Sequence, residues 1–332
     1  MNTMQAAWIS RYGGSDVLEV RSVGKPQITP DQVLVRVRAS ALNRADLLQR
    51  QGKYPPPPGF PPEIPGIEFA GEVAETGSGV AAWKPGDRVF GLLGGGAQAE
   101  YVVTHERLLA EVPKNLDWAQ AAAVPEAFIT AHDALWIQAR LRPSETVLIT
   151  AVGSGVGLAA VQLCRALRAV PFGTSRTLDK IAQAKSLGLE AGLAVRENFD
   201  ELVAAAEQWT GQKGINVVLD LVGGPYAKAC QKLMAVKGRM MLVGTVAGGS
   251  FDVDSRYVMS KRLEIRGTVL RARSLEEKIQ VTQAFAAEVV PLLASGVVRP
   301  AIDSQFSLAE IAKAHQRLES NETFGKVVVT MV

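Results

Sequence analysis

The stretch Thr146-Val-Leu-Ile-Thr-Ala-Val-Gly-Ser-Gly-Val-Gly-Leu-Ala-Ala-Val-Gln-Leu-Cys-Arg-Ala-Leu167 runs an apolar strand into a glycine turn and then into an amphipathic helix. That is the layout of a dinucleotide-binding unit. The first backbone N–H groups of such a helix have no intrahelical partner and stand at its positive dipole end, so they suit the pyrophosphate of NAD or NADP. Glycine or serine is needed because a branched side chain would hold the phosphate oxygens off the backbone. Gly155-x-Gly157-x-x-Ala160 satisfies the G-x-G-x-x-G/A spacing, while a second register through Ala151, Ser154 and Gly157 puts serine in the middle. Both registers place the same turn, Gly153, Ser154, Gly155, Val156 and Gly157, at the same helix start. Alone, such a turn is often a glycine-rich cap with no ligand; the strand before it and the helix and second strand after it favour the nucleotide.

Working outward, the chain from about Trp118 alternates strand and helix. Thr146 to Thr150, Val170 to Thr174, Val217 to Leu221 and Met240 to Gly244 read as strands, with Glu264 to Leu270 as one more, the rhythm of a doubly wound parallel sheet. A helix is expected from Leu275 to Ala294 and another from Phe306 to Leu318, before a last strand over Gly325 to Thr330. The first 125 residues read as β-rich. Gln32 to Ala39 alternates apolar with polar, Gly71 to Val80 is a strand closed by a turn, and several short strands together make a small barrel. Tyr54-Pro-Pro-Pro-Pro-Gly-Phe-Pro-Pro62 fits neither a helix nor a central strand and reads as a rigid extended loop. The fold class is therefore α/β. The last strand resembles barrel material, so the tail is expected to return to the first domain, giving residues 1–125 with 300–332 as one domain and 126–299 as the other.

At 332 residues the chain exceeds the usual single-core limit of about 250 to 300, in keeping with two domains. Hydrophobic residues make up 47% and charged ones 21%, and no apolar run reaches the ~18 residues of a membrane span. Met1 to Tyr12 has no apolar signal-peptide core, so a cytoplasmic location is expected. The net charge is +3, and the densest basic cluster (Lys261, Arg262, Arg266, Arg271, Arg273) is short and interrupted by Glu264. That argues against nucleic acid, which needs a concentrated basic face. The two cysteines, Cys164 and Cys230, are too few for a four-cysteine zinc site.

The choice of nucleotide turns on the end of the second strand, where an NAD ribose would be met by an acid about 20 residues past the glycine turn. Gly173-Thr-Ser-Arg-Thr177 has none. Ser175 and Arg176 instead offer a hydroxyl and a guanidinium, suited to a 2′-phosphate. NADPH is the expected cofactor. A hydrogen bond to a charged group is worth roughly 1.5 to 3 kcal/mol, hence about ten- to hundredfold preference over NADH. A second reading leaves Arg176 as a solvated charge beside Asp179.

With these pieces placed, the chain resembles the medium-chain dehydrogenase/reductase superfamily, and within it the zinc-free quinone oxidoreductase and zeta-crystallin branch. The resemblance is carried by Ala39-Ser-Ala-Leu-Asn-Arg-Ala-Asp46, Pro65-Gly-Ile-Glu-Phe-Ala-Gly-Glu-Val73, Lys84-Pro-Gly-Asp-Arg-Val89, Ala121-Ala-Ala-Val-Pro-Glu126, Ala151 to Gly157 and Phe324-Gly-Lys326. It is most similar to the tumour-suppressor-inducible quinone oxidoreductase type. The resemblance implies a GroES-like catalytic barrel beside a Rossmann sheet. In zinc-dependent relatives a cysteine stands where this chain has Asn43 and a histidine where it has Ile67; with both missing, the resemblance implies chemistry without metal. A tyrosine common near the adenosine end of this branch has no clear match around Ala194, Val195 and Arg196.

Without a Lewis acid, oxidising an alcohol is poorly supported, whereas a quinone or a conjugated alkene can accept a hydride directly. Such a reaction needs positioning and a hydrogen bond to the oxygen that gains charge. The amide of Asn43 and the phenol of Tyr54 are the candidate donors by family pattern, with Asp46 orienting the loop. Asn43 and Asp46 also read as a capping box, and Tyr54 as a ring packed on prolines. The resemblance further implies Thr130, Val222, Val243, Gly244 and Thr245 near the nicotinamide, Val269 and Leu270 lining it, Lys326 closing over it, and Lys180 assisting Ser175 and Arg176. His105, His132 and His315 assemble no nucleophile triad. Three functions stay open: an NADPH-dependent quinone reductase, a reductase of enals, enones or enoyl thioesters, and a low-turnover NADPH-binding structural or sensing protein. A homodimer is implied, paired along Glu264 to Leu270.

Overall fold

The computed structural model describes residues 3–196 and 199–331. Two compact units divide the chain: Met1–Ile129 with Leu270–Val332, and Thr130–Val269.

The second unit is built on a six-stranded parallel sheet. Its order is Ala191–Ala194, Val170–Ser175, Thr146–Ile149, Ile215–Asp220, Met234–Leu242 and Glu264–Gly267. In sequence terms this is 3-2-1-4-5-6, the Rossmann order, in which the direction of winding reverses between Thr146–Ile149 and Ile215–Asp220. Val147, Leu148, Ile149, Val217, Val218 and Leu219 are all fully buried, as central parallel strands covered on both faces require. The helix Gly155–Ala166 follows the first strand, with Ser154 as its cap.

The first unit carries a seven-stranded sheet ordered Ile302–Ser307, Lys326–Thr330, Gln32–Ala41, Glu68–Thr76, Arg88–Leu92, Leu109–Glu111, with Tyr101–His105 also paired to Gln32–Ala41. Val33, Val35 and Val37 alternate inward and pack with Phe69, Val73, Val89 and Leu109. A separate hairpin joins Thr3–Ile9 to Leu18–Gly24. Residues 54–62 form no helix or strand.

Several boundaries differ from the sequence reading for physical reasons. The strand Ala191–Ala194 was not foreseen; four small or apolar residues carry no alternation to read. The expected helix from Phe306 begins only at Ile311, because Ile302–Ser307 is a strand parallel to Lys326–Thr330 and Ser307 caps the turn through Glu310. The helix expected over Leu275 to Ala294 breaks at Val289, where Pro291 has no N–H to continue it. The strand expected over Glu264 to Leu270 ends at Gly267.

The segment 270–299 falls in the first unit rather than with the parallel sheet. Phe285 packs on Phe90 with ring centroids 5.9 Å apart, and Asn115 Nδ2 donates to Leu293 O at 2.9 Å.

Candidate active site

In the second unit, Ser154 Oγ accepts the N–H of Gly157 at 3.1 Å. Gly155 and Val156 open the helix with N–H groups that precede its first intrahelical bond. A Cβ on Gly157 would lie 2.7 Å from Val152 O, so the turn closes only with glycine there. The side chain of Lys180 lies along Gly153, where a Cβ would meet its Cδ at 3.0 Å. The turn therefore offers bare backbone with an ammonium stem beside it, and these residues fit a dinucleotide phosphate.

Ser175 ends the neighbouring strand and is buried at 6% exposure, whereas Arg176, one residue on, is exposed. Tyr226 stands close by, its OH donating to Val195 O at 3.1 Å. Burial raises the phenol above the usual tyrosine range.

Two residues that sequence reasoning missed organise the switch point. Thr150 Oγ1 donates to Asp220 Oδ1 at 2.8 Å and accepts Leu221 N at 2.7 Å; the same Asp220 oxygen accepts Val222 N and Gly223 N at 3.0 Å. Both side chains are wholly buried. Asp220 O also accepts the N–H groups of Val243 and Gly244 at 2.9 and 3.2 Å. A Cβ on Gly244 would sit 2.2 Å from Leu221 O, so the two strand ends approach closely because glycine is there. Val222, Val243, Gly244 and Thr245 thus come together at the two strand ends. The available signal was an aspartate at a strand end followed by Gly223-Gly224. Thr130 lies in the helix Pro125–His132, and Val269 is exposed beyond the last strand.

The first unit gathers a different set. Glu68 is fully buried, and its Oε1 accepts Lys326 Nζ at 2.6 Å and Asn43 Nδ2 at 2.8 Å, while Oε2 accepts Glu126 N at 2.7 Å. Lys326 Nζ also donates to Asn43 Oδ1 at 2.5 Å and Leu42 O at 2.8 Å. An ammonium has three donors, and all three have acceptors in this unit. Lys326 therefore braces the cluster from within, in contrast to the expectation that it closes over the cofactor.

Asn43 differs from expectation too. Its amide hydrogens face Glu68 Oε1 and Ala41 O (3.3 Å), which leaves no strong donor for a substrate oxygen. Asp46 clamps the start of the helix Arg44–Arg50. Its Oδ2 accepts Asn43 N at 2.7 Å and its Oδ1 accepts Gly66 N at 2.9 Å. Gly66 holds φ +103° against Gln98, where a Cβ would fall 2.5 Å from the backbone N. Burial pushes the Asp46 carboxyl up to about 6, against the two backbone donors that favour its charge.

Tyr54 is the other candidate donor from the sequence. It is half-buried at the head of the proline loop, and the guanidinium of Arg271 lies over its ring with Cζ 4.7 Å from the centroid. The three histidines have separate settings. His105 Nδ1 accepts Arg107 N, His132 lies buried in a helix, and His315 Nε2 pairs with Gln98 Oε1 at 3.2 Å. Burial drives the His315 pKa down to about 3, so the ring is neutral.

Known proteins resemble this chain in both sequence and fold. Residues 29–114 match the alcohol dehydrogenase GroES-like domain family and residues 189–329 the zinc-binding dehydrogenase family. A quinone oxidoreductase from Lama guanicoe is 32% identical, over 99% of this chain and 98% of its own. Among solved structures, a mycobacterial protein complexed with NADPH superposes with TM-score 0.89 at 28% identity, covering 99% of this chain and 100% of that one. The CurK enoyl reductase does so with TM-score 0.85 at 26% identity, covering 100% of both chains. The chain belongs to the quinone oxidoreductase branch of the medium-chain dehydrogenase/reductase superfamily and is a nicotinamide-dependent oxidoreductase.

The residues do not fit the zinc that one of these family names implies. A catalytic zinc takes three protein ligands, yet Asn43 and the apolar Ile67 flank a single carboxylate, Glu68, that already holds an ammonium. Among the described residues, no three His, Cys, Asp or Glu side chains are grouped to bind a metal ion.

Proposed function

We propose that this enzyme reduces quinones with NADPH by direct hydride transfer, without a metal. The observation that carries the reading is the Lys326–Glu68 pair, a buried ammonium on the one carboxylate a metal would need. With no Lewis acid to bind an alkoxide, the substrate must already be electron-poor. When bound, the cofactor supplies a hydride from its nicotinamide. The chain's part is to hold the pyrophosphate on Gly155 and Val156, to meet the 2′-phosphate with Arg176, Lys180 and Ser175, and to donate from Tyr54 to the acceptor oxygen as it gains charge. Asn43, Asp46 and Lys326 position the loop that carries this chemistry, while Thr130, Val222, Val243, Gly244, Thr245, Val269 and Leu270 border the nicotinamide.

A second reading, reduction of a conjugated enone or enoyl thioester, draws on the likeness to an enoyl reductase and uses the same groups. Steady-state turnover of 9,10-phenanthrenequinone against crotonyl-CoA, each with NADPH and NADH, separates the two. Faster quinone turnover with NADPH supports the proposal, and faster crotonyl-CoA turnover transfers it to the second reading. Protein that quenches NADPH fluorescence but reduces neither is a binding or sensing protein. Two copies are proposed to pair along Glu264–Gly267, which ends the parallel sheet.

A further inference from the structure

Three arginine and lysine side chains of the first unit are buried: Arg50, Arg271 and Lys326. Buried charges are ordinarily paired, because an isolated ion loses far more hydration than neutral contacts return. Arg50 meets the carboxylate of Glu319 at 2.9 Å and Lys326 that of Glu68 at 2.6 Å. Arg271, at 8% exposure, has no carboxylate within ion-pair distance among the described residues. Its Nε donates to Gly94 O at 2.7 Å, Nη2 to Gln49 Oε1 at 2.7 Å and Nη1 to Tyr54 O at 3.2 Å, and its Cζ lies over the Tyr54 ring. Burial pulls its pKa below the usual arginine range, with more distant acids opposing.

These contacts bind three segments to one another. Gln49 belongs to the helix Arg44–Arg50, Tyr54 heads the proline loop, and Gly94 lies under Phe60 of that loop, where a Cβ would fall 2.5 Å from the ring. The loop thus seats on Gly94 because no side chain intervenes. Carbonyl oxygens and a ring face satisfy the guanidinium's geometry but leave its net charge uncancelled. That charge lies against the one phenol left to donate to the acceptor.

We propose that Arg271 is a positioning residue for hydride transfer: it fixes the Tyr54 ring and places a buried positive charge, with no carboxylate in ion-pair contact, over that ring, so that the pair stabilises the negative charge developing on the acceptor oxygen. This rests on the reductase reading above. It deepens that reading by specifying an acceptor whose oxygen becomes anionic as the hydride arrives.

The test is a double-mutant cycle with Tyr54→Phe and Arg271→Met, and a parallel one with Arg271→Lys, at saturating NADPH on a quinone the wild type reduces. Thermal unfolding is measured on every variant. Arg271→Met is expected to lower kcat about tenfold to a hundredfold, with KM for NADPH within about twofold. In the Tyr54→Phe background it should add less than about twofold, because the phenol through which it acts is gone. Arg271→Lys, which keeps charge but not the planar fork of donors, should fall between wild type and Arg271→Met. Should Arg271→Met not fold, the lysine cycle carries the same requirement of non-additivity. Additive losses, a rise in KM for NADPH with kcat unchanged, or wild-type activity in Arg271→Met each overturn the proposal. A wild type that reduces no acceptor removes the reductase reading and this inference together; an active wild type with additive losses removes only the inference.

Discussion

The glycine turn of the second unit and the polar cluster of the first are built on opposite terms. At Gly155 and Val156 the working groups are backbone N–H donors, half-buried and ahead of the first helical bond, and the side chains need only be small. Around Glu68, by contrast, side chains from residues as far apart in sequence as Asn43 and Lys326, 283 positions, satisfy one another. The first arrangement leaves donors open for a ligand; the second closes almost all of its own. A site made of backbone tolerates change at its side chains, while a closed side-chain network should fail when any member is removed.

The largest effect should therefore come from Lys326→Met. It leaves the Glu68 carboxylate buried without its cation, and removing one partner of such a pair typically costs about 3–5 kcal/mol. Denaturant unfolding should show that loss, with partial recovery in the double variant with Glu68→Gln. Equal stability of wild type and Lys326→Met would mean the network is not closed.

Next comes the pH dependence of stability in the first unit, where two buried groups act with opposite signs. Asp46, raised to about 6 in the folded state, keeps its proton more readily there than in the unfolded chain. Its contribution is full at low pH and is lost as pH rises through about 6, by up to roughly 3 kcal/mol. His315, depressed to about 3, contributes above its unfolded pKa near 6.5 and loses that contribution as pH falls toward 3. Unfolding followed from pH 7 to 5 should thus steepen its acid loss in Asp46→Asn and reverse slope toward acid stabilisation in His315→Gln. The same slope in both variants would exclude these two groups as its origin.

The second unit should show smaller, ligand-linked effects. Arg176→Ala should cost about 1.5–3 kcal/mol of NADPH affinity and little of NADH, narrowing their ratio about ten- to hundredfold in fluorescence titrations. An unchanged ratio returns Arg176 to the role of a surface charge. The smallest effect is expected from Ser154→Ala, which removes the cap on Gly157 and should lower stability by about 1 kcal/mol, with NADPH affinity changed only a few-fold.

The same contrast explains what could be read from the amino-acid order. The parallel sheet and its turn were legible because strand, glycine turn and helix are contiguous, and their chemistry is that of the backbone. The strand Ala191–Ala194 was too short to alternate, and Ile302–Ser307 ran into an amphipathic segment whose helical period masked it. Asn43 and Lys326 were found by family pattern, yet their partners were not. A lysine in Phe324-Gly-Lys326 reads equally as a residue closing over the cofactor, and only the fold shows its three donors turned toward Leu42, Asn43 and Glu68. Arg271 stood among five basic residues between 261 and 273, where nothing local distinguishes a buried cation from a solvated one. The Thr150–Asp220 bond links neighbouring strands 70 residues apart in sequence, a pairing visible only once the strand order is known.

The central claim is that hydride reaches an acceptor here with no metal to receive the developing charge. The direct measurement is quinone turnover by NADPH before and after exhaustive chelation, with the metal content of the protein determined in parallel. Unchanged turnover in metal-free enzyme is the predicted result; activity that disappears on chelation and returns on adding zinc would contradict it.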